Sequence, residues 1–137
     1  MTGYRVSKVI VRVGDSYLMS LKRKRGSDDA RLEFLGGRHE KHESALDALV
    51  RELREEETTG CLAERAETLA SPPVEIRVGD GHHFIFLMDL SGEDAGLLRH
   101  HPQESHGFQL VPSGLLRPGE LFTRKTNGIL GSLKLAE

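Results

Sequence analysis

The chain has few of the residues that define several large protein classes. Its one cysteine, Cys61, excludes an internal disulfide and is typical of proteins in a reducing compartment. The longest apolar run, Phe84 to Met88, is far shorter than the ~20 residues of a membrane-spanning helix. The N-terminus also lacks the apolar core of a signal peptide. We therefore expect a cytoplasmic protein that does not insert into membranes.

An excess of charge of one sign is also missing. The formal net charge is -2, although 29% of the residues are charged. A nearly balanced charge argues against non-specific binding of nucleic acid, because such binding requires a strongly basic surface. A length of 137 residues predicts one domain, residues 1–137, that is large enough to bury a hydrophobic core.

The clearest helical pattern covers residues 44–57. Four apolar side chains repeat at the i, i+3, i+4, i+7 spacing of a helix that packs on a core: Leu46, Leu49, Val50 and Leu53. At about 100° per residue, Glu52, Glu55 and Glu56 share a neighbouring face. Three neighbouring carboxylates repel one another unless a cation neutralises them, and oxygen ligands favour Mg²⁺ or Mn²⁺. A solvated acidic face is the alternative interpretation.

The spacing of the acids favours the metal site. Residues 37–56 follow the pattern G-x5-E-x7-R-E-[LIV]-x-E-E, and the chain resembles the Nudix hydrolases at each of these positions. The preceding LEFLGG, Leu32–Gly37, resembles the LEFPGG of MutT-type members. The family pattern has a glycine two residues after the Glu-Glu pair, whereas this chain has Thr58 there and Gly60 later. We expect Gly60 to end a longer helix as its left-handed C-cap.

The resemblance implies a catalytic and metal-binding set. Metal ligands would be the carboxylates of Glu52, Glu55 and Glu56 together with the Gly37 carbonyl. We expect Arg51 to hold the carboxylates in orientation by pairing with its neighbours. The supporting positions of the pattern are Gly36, Glu40 and Glu43.

Three further residues match the family outside this segment. Arg23, at the end of the second strand, stands where MutT-type members contact substrate phosphates. Glu104 resembles a glutamate that in some members supplies a further metal ligand or the general base, so the base is either Glu52 or Glu104. Asn127 is predicted to cap the last helix, and the resemblance also makes it a candidate contact to the base of a nucleotide.

The remaining patterns predict an α/β protein. Strands are predicted at residues 6–13, 16–22, 74–78 and 82–90, the last buried on both faces. Polar loops are predicted at residues 26–31 and 91–102. A short helix capped by Ser113 and a C-terminal helix within residues 123–135 complete the chain. The fold class expected is the Nudix fold, a mixed β-sheet sandwiched between helices in an α/β/α arrangement.

The resemblance implies divalent-metal-dependent hydrolysis of a nucleoside diphosphate linked to another moiety. With a (d)NTP or modified nucleotide, the products would be a mononucleotide and pyrophosphate. Two alternatives are a catalytically silent nucleotide-binding regulator and an RNA 5′-end pyrophosphohydrolase. The second requires a broad basic surface, whereas the basic residues concentrate at positions 22–25, so nucleic acid is not the expected partner. Dimers are common in the family, which makes a homodimer the candidate assembly.

Overall fold

The computed structural model describes residues 3–23 and 29–133. Within these residues the chain forms seven strands, four α-helices and one 3-10 turn. In chain order they are β1 (Tyr4–Val13), β2 (Ser16–Arg23), β3 (Ala30–Glu33), β4 (Leu35–Arg38), α1 (Ala45–Glu56), α2 (Cys61–Glu67), β5 (Val74–Val78), β6 (Gly81–Asp89), α3 (Gly92–Gly96), β7 (Phe108–Pro112), the turn Ser113–Leu115, and α4 (Arg124–Leu133).

The strands form one mixed sheet in the order β3-β2-β1-β6-β5, with β4 paired to β1 and β7 paired to β2. β1 and β6 are parallel, and the other paired strands are antiparallel. β1 pairs with β2 only through residues 11–13 and pairs with β4 through residues 6–9. This register sets Gly36 opposite Lys8 and Gly37 opposite Ser7. The glycine pair therefore lies in the sheet itself, beside the N-terminal half of β1.

Each face of the sheet is covered by helices. Side chains of a strand alternate between the two faces, and in β1 this alternation supplies two separate cores. Val9 and Val11 pack in a cluster with Leu49 and Leu53 of α1. The cluster on the other face joins apolar residues of β1 and β6 to α4: Ile10, Ile85, Ile129 and Leu130. The predicted α/β/α layering is confirmed. No described helix is long and apolar enough to cross a membrane.

The acidic helix is shorter than predicted. α1 ends at Glu56, and Glu57 is already extended, with φ −127° and ψ 121°. The reason is a bridge in which Glu57 pairs with His100, which takes its backbone out of the helix. Gly60 has the predicted positive φ of 84°, but it precedes α2. The prediction that Gly60 caps an extended α1 is therefore wrong.

Several elements lie where loops were predicted. β3 begins at Ala30 in the expected polar loop, because its backbone pairs with β2. α3 lies within the expected loop 91–102 and begins where Ser91 accepts a hydrogen bond from the Asp94 N–H at 3.0 Å. α2 is a seven-residue helix without a predicted counterpart. In β6, Leu87 is 62% exposed, so the expected burial on both faces fails at that residue.

Two predicted caps are corrected near the C-terminus. Ser113 is the first residue of the 3-10 turn, which has no side-chain cap. Asn127 lies inside α4, and the helix is instead capped by Thr123, whose hydroxyl accepts a hydrogen bond from the Thr126 N–H at 3.3 Å. Lys24, Arg25 and the end of the predicted C-terminal helix lie outside the described residues.

Candidate active site

The end of α1 is anchored against the glycine pair by Glu56. Oε1 of Glu56 accepts a hydrogen bond from the Gly36 N–H at 2.7 Å, and the side chain is only 3% exposed. Oε2 is buried and has no hydrogen-bond partner among the described residues. Lys22 Nζ lies 3.5 Å from it. One carboxylate oxygen is thus held by the fold while the other is left available for a ligand.

Burial makes Glu56 a weak acid. Loss of water around the carboxylate raises its pKa to about 7, against the lowering effects of Lys8, Lys22 and the Gly36 N–H. Desolvation is the largest of these effects, because a buried carboxylate loses the water that stabilises its charge. Near neutral pH, Glu56 is therefore poised to lose a proton when a cation approaches.

Glu52 lies directly on Gly37. A side-chain Cβ at position 37 would come within 2.4 to 2.6 Å of the Glu52 carboxyl carbon and both of its oxygens. Glycine at this position is therefore needed for the carboxylate to reach the backbone so closely. Burial and the neighbouring Glu55 raise the pKa of Glu52, against the influence of Arg51.

Arg51 forms hydrogen bonds and ion pairs with four acids of this segment. Its Nε and Nη2 donate to the Glu43 carboxylate at 2.8 and 3.0 Å. Its Nη1 donates to Glu52 at 3.1 Å and to Glu55 at 3.2 Å. Nε also lies 3.0 Å from a carboxylate oxygen of Glu40. These contacts hold the pKa of Glu43 well down, to about 2, and raise that of Arg51.

The predicted metal ligands are brought near one another but do not close around one point. Glu52 and Glu56 contact the Gly36–Gly37 segment, whereas Glu55 is more exposed and paired with Arg51. Within residues 3–23 and 29–133, no group of three His, Cys, Asp or Glu side chains is arranged to hold a metal ion. The donors are oxygen atoms, the type that Mg²⁺ and Mn²⁺ prefer, and Oε2 of Glu56, which has no hydrogen bond within the described residues, fits such a cation.

Lys8 is a charged residue of the site that the sequence analysis missed. Its side chain is 4% exposed, and its Nζ lies 3.7 Å from Glu33. The ammonium donates to the carbonyls of Phe34 at 3.1 Å and Gly36 at 3.3 Å. Lys8 thus binds the carbonyl of Gly36, the residue whose N–H binds Glu56. The alternation of side chains along β1 does not reveal that Lys8 is buried, because a lysine in a strand is ordinarily interpreted as a residue that faces solvent.

Glu57, the residue that follows α1, binds a different part of the chain from Glu52, Glu55 and Glu56. It is 1% exposed and accepts hydrogen bonds from the Arg99 N–H at 2.9 Å and the Thr59 N–H at 3.1 Å. The Thr59 hydroxyl also bonds the carboxylate at 2.7 Å. Glu57 therefore joins the end of α1 to the loop that leads to Glu104.

The loop after α3 carries Glu104 toward the acids. The His101 N–H donates to the Glu56 carbonyl at 2.8 Å, and the Glu104 N–H donates to the His101 carbonyl at 2.9 Å. Lys22, the cation beside Glu56, donates to the Glu104 carbonyl. Glu104 itself is exposed, so the structure brings its backbone next to the site while its carboxylate faces solvent.

Arg23 and Asn127, far apart in the sequence, line the same surface cleft of about 490 Å³. Lys22 also lines it, so the cleft begins beside Glu56. The Asn127 amide is already engaged: its Oδ1 accepts from the Gly119 N–H and its Nδ2 donates to the Gly119 carbonyl, both at 2.9 Å. A third contact, at 3.4 Å, reaches the Phe122 carbonyl. These bonds fix the loop before α4.

Comparison with known proteins agrees with this arrangement. The model of the NUDIX domain matches residues 2–126. The chain therefore belongs to the Nudix family, and its fold is similar to that of MutT. No curated protein matches the chain significantly.

Solved structures show the same fold at low sequence identity. The Escherichia coli ORF135 protein is 24% identical with a TM-score of 0.60, over 100% of this chain and 96% of its own. MutT from Aliivibrio salmonicida and Vibrio cholerae is 17% identical with a TM-score of 0.62, over 96% and 97%. A bifunctional NMN adenylyltransferase/ADP ribose pyrophosphatase from Francisella tularensis, complexed with AMP and a Mn ion, is 19% identical with a TM-score of 0.60; the match covers 96% of this chain and 41% of that protein.

Proposed function

We propose that the chain hydrolyses a phosphoanhydride bond in a nucleoside diphosphate linked to another moiety, with a divalent metal ion. The proposed substrate is a nucleoside triphosphate or a modified nucleotide, which would yield a mononucleotide and pyrophosphate. The observation that carries the proposal is the pair Glu52 and Glu56 held on the Gly36–Gly37 backbone, with the buried Oε2 of Glu56 lacking a hydrogen bond among the described residues.

The proposed metal ligands are Glu52, Glu55, Glu56 and the Gly37 carbonyl. Bound Mg²⁺ or Mn²⁺ would neutralise phosphate charge and make a water molecule more acidic. Arg51 would hold Glu52 and Glu55 in orientation, supported by Glu43 and Glu40. Arg51 lies within hydrogen-bond reach of both ligand carboxylates, so it is placed to keep them near each other before the metal binds.

The chemical step joins an oxygen of water to phosphorus as the anhydride P–O bond breaks, and the proton of the water passes to a carboxylate. Glu52 is the favoured base from its position in the Nudix pattern of residues 37–56. Glu104 is the alternative, positioned through its backbone contact with Lys22. The pH–rate profiles of Glu52→Gln and Glu104→Gln distinguish them, because loss of the base removes the acidic limb of the profile.

Release of phosphate or pyrophosphate from a panel of substrates tests the proposal. The panel includes dNTPs, oxidised dNTPs, NDP-sugars and dinucleotides, each with Mg²⁺. We expect turnover of at least one nucleotide and its loss in Glu56→Gln, with Glu64→Gln, an exposed change on α2, as the matched control. Nucleotide binding without turnover in the parent protein would instead identify a sensor. The cytoplasmic location and the homodimer stay predictions.

A further inference from the structure

The main strand path of the sheet ends in β3 and β5, and the described residues cover only the first of these edges. At β3, the Leu32 N–H donates to the Leu121 carbonyl at 2.7 Å, and the Thr123 N–H donates to the Leu32 carbonyl at 3.0 Å. β5, at the other end, pairs with β6 and with no other described strand. A bare strand edge is a template for pairing with a further strand.

The turn between β5 and β6 sets which main-chain groups of β5 face outward. Val78 and Gly81 pair across a two-residue turn. Residues that flank such a turn bond to each other through their main chains, and the direction of the main-chain groups then alternates along the strand. The N–H and C=O groups of Val78 and Ile76 therefore point toward β6. Those of Glu75 and Arg77 point to the open edge.

The sequence of β5, VEIRV, is complementary to itself when two copies run antiparallel. A two-fold axis through Ile76 sets Glu75 opposite the partner's Arg77, and Arg77 opposite the partner's Glu75. These outward-facing residues can then exchange main-chain hydrogen bonds in both directions, and each bonded pair joins a carboxylate to a guanidinium. On the other face of the strand, Ile76 meets its own copy, and Val74, which is 45% exposed, meets the partner's Val78.

The neighbouring registers that keep this bonding bring like charges together. An axis through Glu75 sets Glu75 against its own copy and Arg77 opposite Pro73, which has no N–H to donate. An axis through Arg77 sets Arg77 against its own copy and Glu75 opposite Gly79 in the turn. Charges and prolines on an edge ordinarily prevent strands from joining. Here the two charges have opposite signs, so they leave one register favourable.

Both charged side chains are accessible at this edge. The Glu75 side chain is 58% exposed, although one of its oxygens lies 2.9 Å from His82 Nε2. Arg77 is also exposed. A two-fold contact uses β5 of both copies and leaves no second β5 bare, so association through this strand stops at a dimer.

We propose that two copies of the chain form a dimer by antiparallel pairing of their β5 strands, with Glu75 and Arg77 as the reciprocal contacts. The two sheets then become one continuous sheet across the two-fold axis. A strand of five residues buries little surface, so the dimer should be weak and should depend on protein concentration. None of the candidate active-site residues lies on β5, so the contact does not depend on the proposed hydrolase function.

Charge reversal tests the register. In sedimentation equilibrium, Glu75→Arg and Arg77→Glu should each weaken the dimer about tenfold, because both symmetric contacts become repulsive. An equimolar mixture of the two variants should recover association as a heterodimer, since each variant then meets the opposite charge. Asp15→Arg, the same change of charge at the exposed turn between β1 and β2, is the matched control and should associate like the parent protein.

A proline variant tests the main-chain contact. Proline at an edge position removes an outward N–H without breaking the ladder to the neighbouring strand. Glu75→Pro should therefore keep the circular dichroism spectrum of the parent. It should weaken the dimer more than Glu75→Gln, which loses only the charge. Equal dimerisation by Glu75→Pro and Glu75→Gln would show that the strands do not pair through this N–H.

Amide hydrogen exchange gives a local measurement in the unaltered protein. The N–H groups of Glu75 and Arg77 should exchange more slowly as the protein concentration rises, because pairing removes them from water. The N–H of Asp15 should exchange at a constant rate. Slowing that is absent at Glu75 and Arg77 in a sample shown to be dimeric would place the contact elsewhere.

Three further results would overturn the proposed dimer. The first is a parent protein that stays monomeric up to about 1 mM. The second is a dimer that both charge reversals leave unchanged, and the third is a mixture of the two reversed variants that does not associate. A monomer that hydrolyses nucleotides would overturn the dimer and leave the hydrolase proposal standing, whereas a β5 dimer without turnover would do the reverse.

Discussion

Replacing Glu56 with glutamine should change how the stability of the protein depends on pH. The Glu56 carboxyl has a pKa of about 7 in the folded protein, compared with 4.5 for an ordinary glutamate. The folded state therefore binds its proton more tightly than the unfolded state. Stability from this group is fully present below pH 4.5 and is lost as pH rises through 7. Glutamine has no such proton and should remove this dependence.

The size of the effect follows from the shift in pKa. Each unit is worth about 1.4 kcal/mol, so the shift of Glu56 corresponds to roughly 3 kcal/mol between pH 4 and pH 8.5. Glutamine keeps an acceptor for the Gly36 N–H. The attraction to Lys22 acts only on the ionised carboxylate, so it is already contained in the pKa of about 7. The comparison is the change in the variant-minus-parent difference between the two pH values, from which effects of the substitution that do not depend on pH cancel.

Urea denaturation in EDTA, at pH values from 4 to 8.5, measures the effect. Relative to the parent, Glu56→Gln should gain roughly 3 kcal/mol of unfolding free energy across this range. The Glu64→Gln variant should run parallel to the parent, since Glu64 is exposed. A Glu56→Gln curve that also runs parallel to the parent would show that Glu56 ionises normally and would refute the argument from burial.

Three further changes give distinct outcomes. Glu57→Ala should destabilise the protein by about 1–3 kcal/mol in urea denaturation, because buried N–H groups lose their acceptor; an unchanged midpoint would contradict this. Arg51→Gln should return the pKa of Glu43 from about 2 toward its ordinary value in an NMR titration. The parent loses stability from this group as pH falls below 4.5 through 2, and the variant should lack that contribution. A Glu43 pKa that stays near 2 in the variant would show that Arg51 is not the cause of the low pKa. Gly37→Ala should lower kcat about 100-fold, because the added Cβ displaces the Glu52 carboxylate. The protein should lose little stability, since Gly37 lacks a positive φ. Full activity of the variant would show that the close contact between Glu52 and Gly37 is dispensable.

The helix of acids and its apolar stripe could be predicted because both depend on local spacing. Leu49, Val50 and Leu53 are buried as expected, while Leu46 is only half-buried. The place where α1 ends could not be predicted in this way. It depends on the bridge between Glu57 and His100, a contact between distant parts of the chain.

The parts of the site that depend on long-range packing were missed or misassigned. Lys8 looks like a solvated strand residue, yet β4 replaces β2 beside it, and its buried ammonium donates to the carbonyls of Phe34 and Gly36. Asn127 looks like a helix cap, but the loop at Gly119 folds back onto its amide. The partners in both cases lie at sequence positions that no periodic pattern connects, so only the fold reveals them.

The most direct test of the account is the binding of Mn²⁺, followed by the EPR signal of the free ion, to the parent protein and its variants. The account predicts that the parent binds Mn²⁺ and that Glu52→Gln and Glu56→Gln each weaken this binding at least about tenfold, whereas Glu64→Gln does not. Undiminished Mn²⁺ binding by both glutamine variants would contradict the claim that the acids at the end of α1 form the metal site.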